Sequence, residues 1–274
     1  MQRVRGMIDL ERHGVSVTGN GQQAIVFLHG YGCDSDMWRD VVPAFDADYR
    51  VISYDLVGYG RSDATLYDPI RYACLQAYAE DLIDILEALK CENVIAVGHS
   101  VSAMIIGLAA TRRPDLISRL VMVCPSPSFA NDEGYEGGFE GQELLGLLDI
   151  LDVNFMGWAQ QMAPKIMNAP HRPELSDALT DSFCRTDPDI AKHFAKVTFL
   201  QDHREDVKLI KQPTLLLQCH DDILVPLAVR TWMETNMYDA KLQVLDTTGH
   251  CPHISAPAPT VAAILNFLRP AVAA

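Results

Sequence analysis

The sequence predicts an α/β fold: a mostly parallel central sheet flanked by helices, with an all-helical insertion set into it. Three observations lead there. Short apolar runs of strand length, at 24–28, 50–55, 94–97 and 120–124, alternate with helix-like stretches. A parallel sheet buried on both faces reads in that way. The run 94–97 passes through Gly98-His99-Ser100-Val101-Ser102 into the helix-like run 103–110. Strand, sharp turn carrying Ser, then helix is the setting of a nucleophile elbow. From Ser126 to about Lys211 no convincing buried strand occurs, and strand-like runs then resume at 214–218 and 241–245.

Taken in order, 11–18 and 24–28 read as strands, and Gly19-Asn20-Gly21 between them is a hairpin signal. His29-Gly30-Tyr31-Gly32-Cys33-Asp34 follows the second strand. Glycines there let the backbone turn its N–H groups toward a site, and the Tyr31 N–H is the candidate oxyanion donor of this loop. A short helix is expected over 37–45. The turn-rich Gly58-Tyr59-Gly60-Arg61-Ser62-Asp63 lacks the third Gly and the Lys of nucleotide loops, so it is assigned to structure. Over 72–90, Tyr72, Leu75, Tyr78, Ala79, Leu82, Ile83, Leu86 and Leu89 share one broad helical face. That helix crosses over to the elbow strand.

In the insertion, helix-like runs are expected at 143–154, 158–167, 174–184 and 188–202. Such a block between two sheet strands reads as a cap over the strand ends. The domain division is therefore 1–125 with 212–274 as the core and 126–211 as the cap. Most of the cap's apolar residues pack it onto the sheet, and a minority line a pocket. A closing helix spans 260–268.

The chain has 274 residues, enough for one large domain or two small ones. A net charge of −14 argues against nucleic acid or an anionic membrane as partner. Seven cysteines cannot all pair, and no CxxC or zinc spacing occurs. Neither a metal nor another cofactor is expected. The N-terminus lacks the apolar core of a signal peptide, and no run reaches membrane-spanning length. A cytoplasmic protein is the expectation.

Ser100, an Asp after 214–218 and a His after 241–245 occur in the order this architecture uses. A Ser hydroxyl needs a base to take its proton. A neutral imidazole serves near pH 7, and a buried carboxylate fixes its tautomer. His250 is preferred to His253 because it follows Gly249 directly after a strand. For the acid, Asp221 and Asp222 compete. The Val101 N–H is the second oxyanion donor. His99, inside the elbow, is read as lining the pocket.

These motifs resemble the α/β-hydrolase superfamily. Within it the chain is similar to the RsbQ-like bacterial stress-response regulators and the plant strigolactone and karrikin receptors. The likeness is carried by His29 to Asp34, Gly98 to Ser102, Leu120 to Pro127, Gly137-Gly138-Phe139, Arg185 to Pro188, Asp202 to Asp206 and Gly249 to His253. The resemblance implies Ser100 as nucleophile, Asp222 as acid and His250 as base, with Tyr31 and Val101 as oxyanion donors. It also places Phe129, Phe155, Trp158 and Phe194 along the pocket. The implied activity is hydrolysis of a small hydrophobic carboxylic ester or lactone. The implied alternative is ligand sensing, with slow hydrolysis coupled to a PAS-domain phosphatase or another signalling partner.

Overall fold

The computed structural model describes residues 8–269. The N-terminal stretch read above for a signal peptide lies outside them. The strands are β1 (Ser16–Thr18), β2 (Gln23–Leu28), β3 (Tyr49–Tyr54), β4 (Val94–His99), β5 (Ile117–Val123), β6 (Thr214–Asp221) and β7 (Ala240–Thr248). They form one sheet in the order β1-β3-β2-β4-β5-β6-β7. Only the β1–β3 pair is antiparallel. Strands β2, β4 and β5 are buried almost throughout, as expected of a sheet covered on both faces.

The expected hairpin does not form. β1 pairs with β3, and β3 separates it from β2. The glycines have another use. A Cβ at Gly19 would lie 2.2 Å from the Tyr49 carbonyl oxygen, and one at Gly21 would lie 2.0 Å from that of Asp48. The connection crosses closely over the chain entering β3, and only glycine leaves room for it. Of the strand expected at 11–18, only the last part is extended.

The helices are α1 (Leu75–Ala88), α2 (Val101–Arg112), α3 (Gly141–Val153), α4 (Phe155–Met167), α5 (Pro173–Arg185), α6 (Pro188–Leu200), α7 (Arg204–Lys208), α8 (Leu227–Asn236), α9 (Pro252–Ser255) and α10 (Pro257–Leu268). The segment expected as a helix over 37–45 is instead two short 3-10 turns, Ser35–Trp38 and Val42–Ala44. Pro43 has no N–H to continue a helical ladder. Helix α1 buries Leu75, Tyr78, Ala79, Leu82, Ile83 and Leu86, the face its periodicity predicts. Helix α2 is buried from Val101 through Ala110, because it packs against both β4 and α1. An all-apolar helix is stable only when so enclosed.

Helices α3 to α7 lie between β5 and β6 in the chain. Their ends are set locally. Glu140 and Glu143 form a capping box at α3. The Asn154 side chain accepts from the Gly157 N–H at α4, and Asp187 accepts from Asp189 and Ile190 at α6. Helices α5 and α6 begin on Pro173 and Pro188, where a missing N–H costs nothing. The buried apolar residues of the insertion join those of the sheet in one continuous core.

The loop 58–63 folds around the buried Asp55, whose carboxylate accepts from the backbone N–H groups of Ser35 and Arg61, each at 2.7 Å. No helix among the described residues is long and apolar enough to cross a membrane.

Candidate active site

Ser100 sits at the turn between β4 and α2 with φ 55° and ψ −120°. A non-glycine residue there is strained, and such strain persists only where the surroundings impose it. They do so here. Ser100 N–H donates to the Val123 carbonyl at 2.8 Å. A Cβ at Gly98 would lie 2.4 Å from the Ser102 carbonyl oxygen, so strand and helix nearly touch. Ser102, where a second glycine is usual, is accommodated: its hydroxyl donates to the His29 carbonyl across the turn.

Two further strand ends reach the Ser100 hydroxyl. His250 Nε2 lies 2.8 Å from Ser100 Oγ, and His250 Nδ1 lies 2.8 Å from Asp222 Oδ2. The other Asp222 oxygen accepts from the Leu224 N–H at 2.9 Å. Ser100 is 8% exposed, and His250 and Asp222 are buried. Burial alone would raise the Asp222 carboxyl. The charge and hydrogen bond of His250 and the Leu224 N–H outweigh it and hold the carboxyl below its ordinary value. The competing Asp221 is exposed and turns away, accepting from the Asn168 amide at 3.3 Å.

The loop of His250 is fixed from two sides. Gly249 N–H donates to the Asp221 carbonyl and His250 N–H to the Ile166 carbonyl of α4, each at 2.7 Å. Gly249 has φ 85°, and a Cβ there would lie 2.1 Å from the Met167 carbonyl oxygen.

His99 sits behind the loop of His250. Its Nε2 is 2.8 Å from the His250 carbonyl oxygen, and its ring packs on those of His250 and His253. It braces the loop that carries His250. Burial first, then the neighbouring His250, pushes His99 down to about 3. His253 is wedged between His99 and Trp38, and burial depresses it as well.

Tyr31 and Val101 begin the backbone segments beside Ser100. Neither N–H has a hydrogen-bond partner among the described residues, as the first N–H of a helix such as α2 does not. The Tyr31 ring, 6.0–6.1 Å between centroids, meets Trp158, Phe183, Phe194 and Phe199 of the insertion. Its hydroxyl donates to the Ala191 carbonyl of α6 at 3.0 Å. Phe155 stacks on Trp158, and Phe129 packs on Phe199. The four aromatics expected along a pocket therefore surround Tyr31 directly or through one neighbour. None of them, nor Ser100, borders the cavity of about 530 Å³ that opens between Cys33–Asp36, the loop 58–62 and the end of α5.

The model of the Alpha/beta hydrolase family matches residues 25–263. The chain belongs to the alpha/beta hydrolase family. As a hydrolase of this family it is similar to a strigolactone esterase from Arabidopsis thaliana, 36% identical over 268 residues, covering 96% of this chain and 97% of that one. A karrikin insensitive 2 receptor of Petunia hybrida is 35% identical over 259 residues, covering 93% of each. Among solved structures, a hydrolase from Oleispira antarctica superposes with a TM-score of 0.92 at 39% identity, covering 94% of this chain and 95% of that one.

Sequence reasoning missed Phe183 in this hydrolase. The signal for it is Gly32, with φ 70°, where a Cβ would lie 2.1 Å from the Phe183 ring. A glycine in a strand-end loop can mark an incoming ring as well as a turn.

Proposed function

We propose that the protein is a serine hydrolase of small apolar carboxylic esters or lactones. The unbroken hydrogen-bonded chain Asp222–His250–Ser100, assembled from three strand ends, carries this reading. In it His250 Nε2 takes the Ser100 proton as Oγ attacks the carbonyl carbon. The charge that gathers on the carbonyl oxygen is met by the free N–H groups of Tyr31 and Val101. Each such donor is worth about 10²–10³ in rate. His250 then protonates the leaving oxygen, and an acyl group remains on Ser100. Water, deprotonated by His250, releases it. Asp222 holds Nδ1 protonated and steadies the imidazolium formed at each step. The insertion 126–211 acts as the cap, and its aromatic residues suit an apolar acyl or lactone ring better than a charged one. The named substrates of the relatives point the same way.

Hydrolysis of a chromogenic short-chain ester tests this, together with mass spectrometry of the Ser100 peptide. An acyl adduct on that peptide is expected during turnover. Hydrolysis undiminished by Ser100→Ala would refute the reading.

A second reading is favoured by the near full-length likeness to a receptor. Here slow hydrolysis belongs to sensing, and the cap engages a signalling partner such as a PAS-domain phosphatase. A butenolide lactone should then shift the melting temperature and change what the protein pulls down. Fast turnover with no ligand-dependent partner would remove this reading and leave the first.

A further inference from the structure

Behind the Ser100–His250 pair lie two thiols, of Cys124 and Cys219, that hydrolysis does not use. Cys124 follows β5 directly, in the left-handed region at φ 49°. Its N–H donates to the Leu217 carbonyl at 2.8 Å, which fixes the strained residue against β6. Its thiol is directed toward two neighbours. Cys124 Sγ, a carboxylate oxygen of Asp222 and a ring nitrogen of His250 all lie within 4.8 Å of one another. Cys219 Sγ is 3.9 Å from Cys124 Sγ. All four residues are buried.

We propose that Cys124, Asp222 and His250, with Cys219 as the fourth donor, form a binding site for a thiophilic divalent cation of the zinc or cadmium class. Thiolate, imidazole and carboxylate are the ligands such ions take, in tetrahedral geometry. Bond lengths of about 2.0–2.3 Å put tetrahedral ligand atoms roughly 3.3–3.8 Å apart. The ligand atoms of Cys124, Asp222 and His250 would close from within 4.8 Å, and the two sulfurs already stand 3.9 Å apart. On binding, the Cys124 and Cys219 thiols give their protons to solvent, and the two positive charges meet two thiolates and one carboxylate, leaving the centre with one net negative charge. No linear spacing announces this site, because its ligands come from three different strand ends.

The site shares Asp222 and His250 with the hydrolytic chain, so the two uses exclude each other. A bound ion removes the imidazole from Ser100 and silences hydrolysis until it is withdrawn. That consequence rests on the proposed function; the binding itself does not.

Cadmium added to the full chain should produce the ultraviolet charge-transfer band of a metal thiolate. Zinc should inhibit ester hydrolysis, and a chelator should restore it. Cys124→Ala should keep its basal hydrolysis, lose the band and require at least about tenfold more zinc for inhibition, the lower end of what losing a metal-site residue costs. Cys219→Ala, a second variant in case the first folds poorly, should weaken both effects. Absence of the band in the wild-type chain overturns the proposal. So does a band undiminished in Cys124→Ala, which would place the ion on the partly exposed Cys74 or Cys184. A band with no detectable hydrolysis supports the metal site while counting against the hydrolase reading.

Discussion

The strand-end loops and the helical insertion above them meet around Ser100, yet they are built by different physics. The loops are held by directed hydrogen bonds: Asp222 to His250, His250 to Ser100, His99 to the His250 carbonyl. Each has one geometry that works. The insertion is held by packing: Trp158, Phe183, Phe194 and Phe199 crowd one ring, Tyr31, with centroid distances near 6 Å. Packing of that kind tolerates exchange of one apolar residue for another of similar volume. One region can therefore conserve a reaction while the other changes what is admitted to it.

The difference is sharpest where a substitution should affect one region alone. Ser100→Ala should lower turnover by up to about 10⁶, with little change in melting temperature, since the hydroxyl supports no packing. A residual rate near wild type would break the contrast at once. Asp222→Asn should cost about 10⁴ in kcat, by presenting the wrong hydrogen-bond partner to Nδ1. Circular dichroism should remain unchanged.

Trp158→Ala should do the opposite. Removing a buried Trp costs about 3–5 kcal/mol of stability, read from urea unfolding. Turnover of the smallest ester should persist, while KM for bulkier apolar esters should rise. A collapse of kcat on the smallest ester would mean that the insertion builds the hydrogen-bonded chain and does not merely cover it.

Acid should weaken the loops before the insertion. Burial moves His99 from 6.5 down to about 3, and His253 is lowered too. Between those values the unfolded chain binds more protons than the folded one, so stability is complete above about 6.5 and declines as the pH falls. Urea midpoints taken stepwise through that interval check this, and a flat profile would count against it. The smallest effect should come from Tyr31→Phe. It removes only the hydroxyl bond to Ala191, worth about 1 kcal/mol, and leaves the backbone donor in place. A large loss of kcat there would show that cap and oxyanion loop act as one unit.

The same contrast decides what is legible in the sequence. Ser100, His250 and the Asp221–Asp222 pair can be found because each follows or ends an apolar strand, and short-range pattern reveals strands. The choice between Asp221 and Asp222 is not local. The pairing of β6 with β7 shifts register between Cys219 and Asp221, just before the two carboxylates diverge. Gly19 and Gly21 mislead for a related reason. A glycine demanded by a tight turn and one demanded by a passing chain look the same in one dimension. Helix α8 drew no expectation, and its N-cap, Pro226, makes no side-chain capping bond that would have announced it. In the insertion, the periodicity of the four long helices is readable, but the rings that converge on Tyr31 come from three of them. Convergence belongs to tertiary structure.

The hydrogen bond from His250 N–H to Ile166 has a mechanical consequence. Helix α4 is fastened to the backbone of His250, the base of the proposed reaction. A ligand that entered by prying this helix upward would pull the imidazole out of line and arrive at a disarmed centre. Passage to Ser100 therefore has to leave α4 seated.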